Sequence, residues 1–171
     1  MVLKNRWKVT IFDMQPISPQ VGGGRIRLAG LYHKFIDEFE VTYIGSYDWQ
    51  GEKYRDQYTY ENLREICIPL SDEHFLENSK LAKLTGINPI DMMFSQLGSL
   101  SHNYVQTAKK FALESDILIF SHPWIYPLVK EVIDTSRQIV IYDSHNHEGL
   151  LRYELYACLL YTSPSPRDRT R

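Results

Sequence analysis

Lys8-Val-Thr-Ile-Phe-Asp13 runs, two residues later, into Pro16-Ile-Ser-Pro-Gln-Val-Gly-Gly-Gly-Arg25, and this junction decides the fold. The first segment is a short apolar, β-branched run, which predicts a buried strand. Beyond the glycines, Leu28, Leu31, Tyr32, Phe35 and Phe39 recur at three- and four-residue spacing, which predicts one face of a helix. Strand, glycine turn and helix together open a doubly wound α/β sheet. Gly22, Gly23 and Gly24 let the backbone approach a ligand without a Cβ in the way. The free N–H groups of the first helical turn then face that ligand.

Arg25 and Arg27 fall in the first turn of this helix, where the macrodipole disfavours cations. Two readings are open. An anion such as a phosphate sits over the turn, or the arginines pair with a nearby acid such as Asp13 or extend into water. The turn is not a known phosphate fingerprint. A dinucleotide G-x-G-x-x-G needs a glycine at Arg27, and a P-loop needs Gly-Lys-Ser/Thr. The next strand, around Val41-Thr-Tyr-Ile-Gly45, does not end in the acid that would hold a ribose. Nicotinamide and ATPase readings are therefore disfavoured.

Composition is that of an ordinary domain with a sizeable core, 43% hydrophobic and 23% charged over 171 residues. A net charge of −2 gives no case for nucleic acid as a partner. The charged N-terminus lacks a secretory pattern and no apolar run is long enough for a membrane span, so a cytoplasmic location is expected. Cys67 and Cys158 give neither a disulfide framework nor a metal motif.

Further along, a strand is expected near Glu40–Gly45. Ser46 to Tyr60, rich in tyrosine and charge, has no clean period and reads as a loop with room for a short strand; its aromatics either line a sugar groove or pin the loop. Leu63–Ile68 predicts a third strand, with Cys67 a small buried residue. Ser71–Lys83 predicts a helix capped by Ser71, with His74 solvated in its first turn. Ile90–Leu113 predicts one long helix, Ile117–Phe120 a strand, Trp124 to about Thr135 a helix, and Gln138–Tyr142 a strand. Strands alternating with helices imply right-handed crossovers and a parallel sheet.

On this assignment Asp13, the glycines, His122, Asp143 and His145 all lie just past the carboxyl ends of strands, where open α/β sheets bind ligands. His145-Asn-His147-Glu148 sits at a strand–helix turn and matches no metal motif, so no metal is expected. From Cys158 the chain reads Cys-Leu-Leu-Tyr-Thr-Ser-Pro-Ser-Pro-Arg-Asp168, which matches a translated sequencing-library adapter. Residues 158–171 are therefore expected to be a non-native or disordered tail, and 1–157 a truncated Rossmann-like domain. Setting aside Arg167, Asp168, Arg169 and Arg171 moves the net charge from −2 to −4.

Four motifs occur in order: Pro16-x-x-Pro-x-x-Gly-Gly-Gly-Arg-x-Arg27, Glu40-Val-Thr-Tyr-Ile44, Ser115-Asp-Ile-Leu-Ile-Phe-Ser-His122 and Ile139-Val-Ile-Tyr-Asp-Ser-His-Asn-His-Glu148. Over about residues 7 to 155 the chain resembles the N-terminal domain of family-4 glycosyltransferases, retaining enzymes of the GT-B fold. The resemblance implies an α/β fold, a Rossmann-like parallel sheet with helices on both faces, forming the N-terminal half of a GT-B fold. It implies transfer of a sugar from a nucleotide-sugar donor to an acceptor glycan, lipid or small molecule, with no further cofactor. Gly22, Gly23, Gly24 and Arg25 would approach the donor diphosphate, His122 the reacting sugar, and Asp13, Asp143 and His145 the acceptor side of the cleft. A peripheral place at a membrane stays open. In such enzymes the donor is held mainly by the C-terminal domain, so the fragment alone is expected to be inactive. Two rivals are another Rossmann-like phosphate-binding domain and a non-catalytic binding module.

Overall fold

A computed structural model describes residues 6–34, 38–60, 62–144, 150 and 153–154. His145, His147, Glu148 and the 158–171 tail lie outside the described residues, as does Phe35. Strands β1 (Trp7–Phe12), β2 (Phe39–Ser46), β3 (Arg55–Tyr60), β4 (Leu63–Ile68), β5 (Ile117–Phe120) and β6 (Ile139–Tyr142) form a single sheet in the order β3-β4-β2-β1-β5-β6. All neighbours run parallel except β3, an edge strand antiparallel to β4. The order steps outward in both directions from β1. This is the doubly wound layout expected from the glycine junction.

The alternation of each strand feeds two cores. Val9, Ile11, Val41, Tyr43 and Leu63 face helix α1 (Gly22–Tyr32), through its Leu28, Ala29 and Tyr32. Phe12, Ile44, Ile66, Leu118 and Phe120 face the other way, against α3 (Phe94–Leu97) and α4 (His102–Glu114), with Tyr104 fully buried. Helices thus cover both faces, and side-chain period 2 on the strands decides which core each residue joins. Helix α2 (Asp72–Thr85) follows β4, capped by Ser71, whose Oγ accepts from the His74 N–H, and closed by Gly86 in the left-handed conformation. Among the described residues no helix is long and apolar enough to cross a membrane.

Several expectations need correction. Helix α1 stops at Tyr32, and Phe39 belongs to β2. The Ile90–Leu113 segment is not one helix: turns and α3 precede a 3-10 turn over Gly98–Leu100, and α4 begins only at His102. The break has a tertiary cause. Ser101 leaves helical geometry, at φ −92° and ψ 69°, and its Oγ accepts from the Ser71 N–H at 3.0 Å, tying the start of α4 to the start of α2. Gly98 packs so closely on Leu128 that a Cβ would stand 2.5 Å from Leu128 Cδ1. His74 is not solvated but fully buried, its Nδ1 3.3 Å from Ser101 Oγ, and burial lowers its pKa. The helix expected to Thr135 shortens to α5 (Tyr126–Val129) plus a 3-10 turn.

Candidate functional site

The carboxyl edge of the sheet gathers the ends of β1, β2, β4, β5 and β6. Asp13 follows β1 and is fully buried. Its Oδ1 accepts from the Met14 N–H at 2.6 Å and the Gln15 N–H at 3.1 Å, which turns the chain out of the sheet. Burial raises its pKa to about 6; the charge of His122 and the two backbone N–H groups pull it partly back. Oδ2 and the nearby buried Ser121 hydroxyl are each without a hydrogen-bond partner among the described residues, and Ser121 adds a little to the pull that lowers the Asp13 pKa.

The loop that carries the glycines is held atom by atom. Three successive carbonyls, those of Asp13, Met14 and Gln15, accept from Tyr104 Oη (3.4 Å), Ser46 Oγ (3.0 Å) and Tyr43 Oη (2.9 Å). The next two donors go to one buried carboxylate. Glu65 Oε1 accepts from the Ile17 N–H at 2.7 Å and the Ser18 N–H at 3.1 Å, and also from Arg55 Nη2 at 2.9 Å. Thr59 Oγ1 donates to Oε2 at 2.6 Å, and Arg55 returns to the Ser18 carbonyl at 2.7 Å. Beside this carboxylate, burial and the Glu65 charge push the Cys67 thiol up to about 12. A loop so fully hydrogen-bonded is preorganised before any ligand arrives.

Its far end is the start of α1. Val21 occupies the N-cap with extended geometry and offers no side-chain cap, and no acid lies in the first turn. Gly22 sits at φ +77°, a conformation that favours glycine, whereas Gly23 has neither a positive φ nor any atom within 4 Å of where a Cβ would stand. All three glycines are exposed. The two arginines part company here. Arg27 forms a two-pronged bond to Asp143, past β6, at 2.8 and 3.2 Å, with Tyr32 Oη donating to the same carboxylate at 2.8 Å. Arg25 is 8% exposed and stacks on Trp49, its guanidinium carbon 5.0 Å from the ring centroid, and has no carboxylate partner among the described residues.

Behind the loop lies a cavity of about 260 Å³. Asp13, Met14 and Gln15 line it from the end of β1, Asp48 from the end of β2, Leu70 from the end of β4 and His122 from the end of β5; Asn88, Ile90 and Asp91 of the α2–α3 connection and Phe94 of α3 close it. Gln15 joins the two regions. It lines the cavity, and its Nε2 lies 3.0 Å from where a Cβ on Gly24 would be. Of the residues singled out in the sequence, then, Asp13 and His122 share the cavity and Gly24 adjoins it through Gln15. Asp143 is engaged with α1, and His145 lies outside the described residues. Among the described residues no group of three or more His, Cys, Asp or Glu side chains is arranged to hold a metal.

Sequence reasoning missed Glu65, Asp48 and Asp91, and had Trp49 only as one of the aromatics of the Ser46–Tyr60 segment. For Glu65 a signal existed: it lies in phase with Leu63 and Cys67 on the buried side of β4, and a charge in that phase demands partners. For Asp91 none existed, because its position depends on the break between α2 and α4.

No family model matches the chain, and no curated protein matches it. Two of the solved structures similar to it are the following. One, from E. coli, is described as trehalose-6-phosphate bound with UDP-2-fluoro glucose, at 12% identity and a TM-score of 0.42 over 79% of this chain. The chain spans 32% of that protein's length. The other is a sucrose-phosphate synthase from Thermosynechococcus elongatus, at 11% identity and a TM-score of 0.23, covering 90% of this chain and 99% of the other. At these scores the likeness adds nothing to the α/β layout seen in the chain itself.

Proposed function

We propose that the chain is the N-terminal, acceptor-side domain of a retaining glycosyltransferase, which moves a sugar from a nucleotide-sugar donor to an acceptor hydroxyl. One observation carries this reading. An uncapped helix start with three exposed glycines, and a buried arginine without a carboxylate partner among the described residues, stand on the same sheet edge as a cavity holding Asp13 and His122. The backbone N–H groups of Gly22–Gly24 and the Arg25 guanidinium are suited to the donor's diphosphate, the leaving group whose charge grows in the transition state. Trp49 limits where that guanidinium can go, so its charge is spent on one place. His122 reaches the cavity from the end of β5 and is suited to a hydroxyl of the transferred sugar. The acceptor occupies the cavity, where Asp13 and the neighbouring polar groups orient its hydroxyl. In this reading the Arg27–Asp143 pair fixes the direction of α1 rather than touching a substrate. Membership of family 4 and retention are supported by the sequence motifs alone, and a cytoplasmic location by the charged N-terminus.

The test is a titration of the isotope-labelled chain with UDP, GDP and ADP, followed through backbone amide shifts. Shifts centred on Gly22, Gly23 and Gly24, absent with the nucleosides alone, are expected. Equal shifts with the nucleosides, or shifts that leave the glycines untouched, would mean that the turn is only a tight connection between strand and helix.

A further inference from the structure

The cavity behind the glycine loop has a charge character that the motifs do not foretell. Its walls carry three acids, Asp13, Asp48 and Asp91, reaching it from β1, the end of β2 and the α2–α3 connection. Among the described residues no lysine or arginine lines it. Asp13, fully buried, keeps one oxygen without a hydrogen-bond partner among the described residues. Phe94 and Leu70 add apolar surface of the kind on which the C–H face of a sugar ring packs. The volume of about 260 Å³ suits one ring rather than a chain of them.

Resting on the acceptor-side reading of this domain, we infer that the cavity takes a single uncharged or amine-bearing sugar-sized polyol and excludes phosphorylated ones. Carboxylates accept from hydroxyls and, more strongly, from ammonium groups. A phosphate brings oxygens that only accept, so it needs donors and positive charge. Here it would meet two side-chain amides, Gln15 and Asn88, and the His122 ring, set among three acids. Like charges brought together in a partly enclosed site are costly. The positive charge at this edge is placed elsewhere, since Arg25 is held against Trp49 and Arg27 against Asp143. The edge therefore divides by sign: the start of α1 suits the diphosphate, and the cavity suits a neutral or cationic acceptor.

The experiment titrates the full chain with glucose, glucosamine and glucose 6-phosphate, reading the amides of Met14, Asn88 and Asp91 at concentrations up to about 50 mM. Glucosamine is expected to bind at least about threefold more tightly than glucose, and glucose 6-phosphate at least about tenfold more weakly. Asp48→Asn is at an exposed position, and Asp91→Asn retains the acceptor for the Met92 N–H, so both variants should fold. Together they should erase the preference for the amine and bring the phosphate within about threefold of glucose. Glucose 6-phosphate binding as tightly as glucose, unchanged selectivity in the double variant, or no shift with any sugar would overturn the inference. Sugars that bind in the expected order while UDP leaves the glycines unmoved would sink the donor reading alone. The converse result would sink only this one.

Discussion

Asp13→Asn should make the protein more stable at neutral pH, and the gain should vanish in acid. Asp13 is fully buried, and its carboxyl is lifted from 3.8 to about 6, chiefly by burial. A native-state pKa above the unfolded one means that the folded state binds the proton more tightly. Stability is then intact below about pH 4 and lost as pH rises towards and beyond 6. Holding the charge at pH 7.5 costs at most about 3 kcal/mol, at about 1.36 kcal/mol per pKa unit. The asparagine Oδ1 keeps the bonds from the Met14 and Gln15 N–H groups. Its amide nitrogen gains an acceptor within reach in Ser121, whose hydroxyl has no partner among the described residues. For a chain of this length each kcal/mol moves Tm by about 2–4 °C, so the upper limit is a rise of roughly 6–12 °C. Thermal melts of the two proteins at pH 4, 6 and 7.5 measure it. Curves that diverge with rising pH are expected. A variant that melts lower than wild type at pH 7.5, or an offset that ignores pH, would refute the reasoning. A stability gain of this kind is common where a functional group has been kept at the expense of the fold.

Gly23→Ala should leave Tm within about 1 °C, its φ being ordinary and its surroundings open, while Gly22→Ala at φ +77° should cost about 1 kcal/mol or more; paired thermal melts distinguish them. Glu65→Ala removes the acceptor of two loop N–H groups and the partner of Arg55, so a loss of roughly 3 kcal/mol or more is expected. Hydrogen exchange should speed first at Ile17 and Ser18; protection unchanged there would show that the loop holds itself. Asp143→Asn weakens a half-exposed pair and should cost no more than about 1 kcal/mol, less at high salt. A large, salt-independent drop in Tm would contradict that.

How much of this was legible in the sequence depends on where the information lay. The five strands expected from apolar runs are all present: β1, β2, β4 and β5 carry buried faces and are largely apolar whatever surrounds them, while β6 is equally apolar but exposed at the sheet edge. β3 was foreseen only as room for a short strand within Ser46–Tyr60: none of Arg55-Asp-Gln-Tyr-Thr-Tyr60 is buried, and an edge strand with a charged face has no alternation to read. The break at Ser101 was equally hidden, since Met93, Leu97, Leu100, Tyr104 and Ala108 keep helical phase across it and only a distant backbone donor at Ser71 explains it. At the site, Asp13, His122 and the glycines followed from strand ends alone. The roles of the two arginines did not. Their fates turn on Trp49 and Asp143, residues 24 and 116 positions away, which local pattern cannot bring together.

The most direct measurement is a crystal structure of the chain soaked with UDP. The diphosphate is expected over the start of α1, with phosphate oxygens within about 3 Å of the Gly23 and Gly24 N–H groups and a charge-assisted bond from Arg25, worth roughly 1.5–3 kcal/mol. A diphosphate bound elsewhere, out of reach of the Arg25 guanidinium and with the glycines bare, would contradict it.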